Sequence, residues 1–86
     1  SFKEGEFVEQ LAIVGIRLDH RKVIAPEVQD ILTKYGEKIL CRMGMPDPEK
    51  QDGIITVYMK ASSKEIEEFS KEFSVFENVK VCHMTI

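Results

Sequence analysis

Eighty-six residues, 43% hydrophobic and 31% charged, make one small globular domain with room for a single core. A net charge of −3 argues against a general grip on nucleic acid, which depends on lysine and arginine neutralising phosphates. No apolar run approaches the roughly 20 residues needed to cross a bilayer. The stretch Ser1-Phe2-Lys3-Glu4-Gly5-Glu6 is acidic where a signal peptide has its apolar core, so no membrane role and a cytoplasmic location are expected.

Residues 1–9 read as an N-terminal extension and residues 10–86 as the domain. The run 10–18 is apolar throughout and too short for a good helix, which suits a central strand covered on both faces. After the polar turn Asp19-His20-Arg21 the period changes. Ile24, Val28, Ile31, Leu32 and Tyr35 recur at three and four and line one helix face, with Glu27, Gln29, Asp30 and Lys34 on the wet side. Pro26 fits only the first turn of such a helix, and Gly36 offers a C-cap. A second strand over about 38–45 ends at Pro46 and Pro48. A polar loop leads to the β-branched third strand, 53–60. Ser62 and Glu65 form a capping-box signature for a second helix with Ile66, Phe69, Phe73 and Phe76 on its apolar face. Residues 79–86 make the last strand.

This βαββαβ order is the split-βαβ, ferredoxin-like plan, an α+β sandwich. Right-handed crossovers put both helices on one sheet face and give the strand order 4-1-3-2. The most apolar runs, strands one and three, then take the centre. Only one face lies under helices, yet both residue sets of strand one are apolar: Leu11, Ile13 and Gly15 against Ala12, Val14 and Ile16. Strand three repeats this, with Ile55, Val57 and Met59 against Ile54, Thr56 and Tyr58. An apolar open face of this kind marks an interaction surface, so a homodimer or larger homo-oligomer is expected. The alternative is that Phe2 and Phe7 fold over that face. Cys41 and Cys82 fall on the two outer strands, roughly 14 Å apart. That is too far for a disulfide, and both are expected as free thiols.

The residues Asp19-His20-Arg21-Lys22, Val28, Ile31-Leu32, Glu37 and Ile39-Leu40-Cys41-Arg42-Met43-Gly44-Met45-Pro46 resemble the iron-only hydrogenase system regulators. The arginine–any–glycine–any–proline pattern at Arg42, Gly44 and Pro46 is the sharpest part of the resemblance, which spans about residues 10–86. It implies an ACT-like regulatory domain, oligomeric and without catalytic activity, similar in fold to the C-terminal domain of nickel-responsive repressors. Two positions depart from the pattern. Asn78 stands where such sequences tend to have glycine. The loop after strand one also lacks the glycine of amino-acid-binding ACT domains.

Candidate chemistry is sparse. Arg42 stands between apolar residues on a strand, with Gly44 on the same face leaving room beside it. A guanidinium so placed can bind a carboxylate or phosphate; alternatively it pairs with an acidic residue or guards an edge strand. Asp19, His20 and Arg21 lie where strand gives way to helix. They are either ligand contacts or a solvated turn with Asp19 capping the helix. Cys41, Cys82, His83, Met43, Met45 and Met84 include metal-ligand types. Cys82 and His83 point to opposite faces, however, so only a site shared between subunits would hold a metal. No cofactor is expected. Acylphosphatase, heavy-metal chaperone and RNA-recognition readings each lack their required loop, cysteines or aromatics. The expected function is therefore a small oligomeric regulator acting by ligand sensing or partner binding. An interface metal sensor and a purely structural dimerisation domain are the alternatives.

Overall fold

The computed structural model describes residues 8–19, 21–46 and 53–86, for 21–25 and 46 the backbone only. The elements are β1 (Glu9–Leu18), α1 (Arg21–Lys34), β2 (Ile39–Pro46), β3 (Gly53–Ser62), α2 (Ser63–Phe73) and β4 (Val79–Thr85), with a single 3-10 turn at Gly36–Lys38. The sheet is antiparallel with the order β2-β3-β1-β4, which is the predicted order read from the other edge. Among the described residues no helix is long and apolar enough to cross a membrane.

Strand alternation sorts the side chains. Ala12, Val14, Ile16 and Leu18 of β1 and Val57, Met59 and Ala61 of β3 are buried on one face. They meet Val28 and Leu32 of α1 and Ile66, Phe69 and Phe73 of α2, so one core lies between sheet and helices. Phe69 is its centre, meeting Tyr35 and Phe73 edge-on with centroids 4.9 and 5.0 Å apart. The capping box forms as expected. Ser62 Oγ accepts the Glu65 N–H at 3.2 Å, and Glu65 Oε1 accepts the Ser62 N–H at 3.0 Å.

Three local expectations change. The first helix begins at Arg21, so Pro26 is its sixth residue rather than a first-turn residue. Gly36 does not cap that helix in a left-handed conformation. Instead the chain tightens into the 3-10 turn, with the Lys38 N–H donating to the Tyr35 carbonyl at 2.9 Å. Phe76 lies beyond α2, which ends at Phe73, and packs against the core from the following turn. Phe2, Phe7, His20 and the 47–52 loop lie outside the described residues.

The face away from the helices carries Leu11, Ile13, Gly15 and Arg17 of β1 and Ile54, Thr56, Tyr58 and Lys60 of β3, as alternation requires. β2 adds Cys41, Met43 and Met45, and β4 adds Lys80, Cys82 and Met84. Met43, Met84 and Ile86 are 63%, 60% and 69% exposed, so the described residues leave this apolar face open.

Candidate functional site

β2 is irregular at its start. Ile39 pairs with Met59 and Cys41 with the next residue, Tyr58, which leaves Leu40 as an extra, bulged residue. One inserted residue reverses the faces that follow. Ile39 packs on the core, yet Cys41, two positions on, faces the open side. Arg42 is thereby carried to the helix side, where its Nη1 donates to Gln29 Oε1 of α1 at 3.0 Å.

Arg42 stands between two hollows. A groove of about 400 Å³ runs along Leu32, Thr33, Gly36, Ile39, Leu40, Cys41 and Arg42. A smaller one, about 230 Å³, is lined by Gln29, Arg42, Gly44 and Ile55. A Cβ at Gly44 would meet nothing within 4 Å, so the glycine keeps space open rather than relieving a clash. The expected juxtaposition of Arg42 and Gly44 is present. The Arg42 partner, however, is the neutral amide of Gln29 and not a carboxylate. Among the described residues an anion entering the groove competes with this amide for a forked guanidinium, and such charge-assisted contacts are the stronger ones.

Ion pairs link neighbouring elements. Lys38 lies 3.5 Å from both Glu9 and Glu65, and the Glu65 charge raises its pKa above the ordinary lysine value. The backbone N–H of Ser62 holds the Glu65 carboxyl below the usual range. At the C-terminal end of α1, Lys34 Nζ lies 3.1 Å from the Glu72 carboxylate.

The other candidates lie elsewhere. Asp19 is half-buried at the end of β1, where its N–H donates to the Asn78 carbonyl at 2.8 Å and ties the turn before β4 to β1. Arg21 opens α1, its side chain being outside the described part, as is the whole of His20. The Arg42 level of the sheet passes through Val57 to Val14. Asp19 lies five positions further along β1 and two strands across, roughly 19 Å away. The strand–helix turn and the Arg42 groove are therefore separate places. Gln29 was legible only as a wet-face residue, and no pattern in the sequence marks it as the partner of Arg42.

Cys41 and Cys82 are both free, exposed and on the two outer strands of the open face, as the topology predicted. His83 points the other way, its Nδ1 3.2 Å from Ser70 Oγ of α2. Among the described residues no group of three His, Cys, Asp or Glu side chains is placed to hold a metal ion.

These features define an α+β, ferredoxin-like domain with one covered and one open sheet face. Residues 10–82 match the TM1266-like family, described as "Iron-only hydrogenase system regulator, putative", and the chain belongs to that family. Its fold is that of the uncharacterized protein TM1266 from Thermotoga maritima. That match has a TM-score of 0.86 and 24% identity over 91% of this chain and 98% of the other. The C-terminal domain of the MgtC protein from Mycobacterium tuberculosis is also similar (TM-score 0.69, 14% identity, 100% and 94% covered). So is CPII from Thiomonas intermedia K12, a nitrogen regulatory PII-like protein bound to ADP, AMP and bicarbonate (TM-score 0.51, 13% identity, 88% and 93% covered). No curated protein matches the chain.

Proposed function

We propose that this chain is a non-catalytic, cytoplasmic regulatory module that self-associates through its open sheet face and couples that assembly to an effector or a protein partner. The observation that carries the reading is the patch of exposed Leu11, Met43 and Met84 around half-buried Ile13 and Tyr58, which spans all four strands. A continuous exposed patch of this kind is costly to leave in water and typical of an interface. A second copy presenting the same face satisfies it by two-fold symmetry. The family name supports a regulatory role, and the PII-like neighbour with bound nucleotides is a precedent for effector binding on a related fold. The Arg42 groove is the proposed effector contact, with Arg42 binding an anion and Gly44 giving it room. Asp19, His20 and Arg21 form a second candidate contact at the strand–helix turn.

Light scattering at micromolar concentration tests the assembly. A dimer or larger species is expected for the native chain. Tyr58→Glu, which places a charge in the middle of the apolar row, should give the monomer mass without loss of the fold. A native chain that stays monomeric overturns the reading.

A further inference from the structure

β2 forms one edge of the sheet, pairing with β3 on one side and with no strand of the described residues on the other. From Leu40 to Met45 every residue is exposed, and four of these six are leucine, cysteine or methionine. Proteins usually blunt such an edge with lysine, proline, a bulge or a covering element, because its free N–H and C=O groups pair with any extended chain. Here those devices stand only at the two ends, as the Leu40 bulge and Pro46. The opposite edge, β4, carries Lys80 and His83 within its span. The charge within β2 is Arg42, which turns to the helix side and donates to the neutral amide of Gln29. Hollows flank it on that side, one of about 400 Å³ beside Leu32 and Ile39 and one of about 230 Å³ beside Gly44 and Ile55.

We infer that the edge of β2 binds an extended segment of a partner protein as a fifth strand, with an aspartate or glutamate opposite Arg42 and an apolar residue two positions to either side. A strand added there sends alternate side chains to the helix side, about 7 Å apart. The acidic residue meets Arg42 as a cross-strand pair of opposite charge, and its carboxylate is a stronger acceptor than the Gln29 amide. Its same-face neighbours then fall over the groove at Leu32 and Ile39 and over Gly44, where β2 itself has no side chain to fill the space. Backbone pairing supplies affinity that is indifferent to sequence, while Arg42 and the two hollows supply the selection. This partner site rests on the reading of Arg42 as an anion contact and identifies what carries the anion. Strand addition uses the edge, so the open face is left to the second copy.

The probe is the capped peptide Thr-Leu-Thr-Asp-Thr-Leu-Thr, which reads the same in both directions and so fits parallel or antiparallel addition. It is titrated into the isotope-labelled native chain and into Tyr58→Glu at neutral pH, with backbone amide shifts as the readout. Shifts should concentrate in β2 and the part of α1 facing it. Replacing the peptide's aspartate by asparagine should weaken binding about tenfold. Arg42→Gln should cost the aspartate peptide the same factor and leave the asparagine peptide unchanged; Arg42 is exposed, so this variant keeps the fold. Only alternate N–H groups of a strand face its neighbour. Methylating the backbone nitrogens of the aspartate and leucines, or those of the threonines between them, should therefore abolish binding in one pattern and spare it in the other. Equal affinity of the aspartate and asparagine peptides, equal damage from the two methylation patterns, or shifts centred on β4 or the open face overturns the proposal. So does hydrogen exchange that protects every amide from Cys41 to Met45 in free Tyr58→Glu, since the edge would then already be paired. Acetate that shifts the Arg42 region while the peptide does not overturns the partner site and leaves the anion contact standing. A monomeric native chain that binds the peptide as described supports the partner site and overturns the assembly reading.

Discussion

The hydroxyl of Tyr35, at the end of α1, donates to the carboxylate of Glu72 on α2. Lys34 Nζ approaches the same carboxylate at 3.1 and 3.2 Å, and the Tyr35 ring packs edge-on against Phe69 beneath. Two consecutive residues thus join the helices at the point where the chain turns toward β2 and the Arg42 groove. The ion pair is exposed and worth little alone. The half-buried ring and the hydroxyl bond make the joint specific.

That joint sets two limbs of the stability–pH profile. Burial pushes the Tyr35 hydroxyl far above its ordinary value, and the bond to Glu72 adds to the shift. A folded pKa above the unfolded value of about 10 gives a contribution fully present below pH ~10 and lost as pH rises through the folded value. For Glu72 burial acts upward, but Tyr35 and Lys34 outweigh it and hold the carboxyl below its usual range. Its contribution is present above the unfolded value of about 4.3 and lost as pH falls through the folded one. In urea unfolding followed across pH, Tyr35→Phe should flatten the alkaline limb and Glu72→Gln the acid limb. Unchanged limbs in both variants would remove Tyr35 and Glu72 as their source.

Phe69 is fully buried and makes edge-on contacts with Tyr35 and Phe73. Phe69→Ala should cost about 3–5 kcal/mol, from lost transfer energy plus the cavity left behind. A single core in a domain this small leaves little reserve, so the variant should be largely unfolded at 37 °C by circular dichroism. Exposed Val75 is the comparison, and Val75→Ala should leave the melting temperature unchanged.

Pro26, as the sixth residue of α1, removes one backbone hydrogen bond from the second turn. Pro26→Ala should therefore stabilise the domain by about 1–3 kcal/mol, raising the thermal midpoint by several degrees. A helix starting at Pro26 would be indifferent to the change, so a flat result would place the start of α1 later in the chain.

Leu40 is exposed and is the unpaired residue of the bulge. Its deletion joins Ile39 to Cys41, whose partners Met59 and Tyr58 are already consecutive, and leaves Arg42 on the helix side. The deletion should change stability by only about 0.5 kcal/mol, as an exposed site away from the core does. Deleting Met43 should be far worse, because it reverses the faces of everything after it. Thermal unfolding of the two deletions side by side is the check, and equal losses would contradict the bulge.

Much of this architecture is legible in the chain because it depends on local periods. Alternation at two and recurrence at three and four depend on neighbouring residues, and they mark out the four strands, both helices and the capping box at Ser62. Handedness then leaves one strand order, and that order alone places both cysteines at the outer edges of the sheet. The sites are different. Arg42 and Gly44 stand out as a charge and a gap in an apolar strand. Which face they occupy depends on a single bulged leucine, whose presence is settled by pairing with β3. Gln29 meets Arg42 only because α1 lies over that edge. Arg17 faces Lys80 only because β1 and β4, with 60 residues between their ends, become neighbours. Side-chain period is a property of the chain, whereas register is a property of two strands meeting, and it is register that decides which face Arg42 and Gly44 occupy.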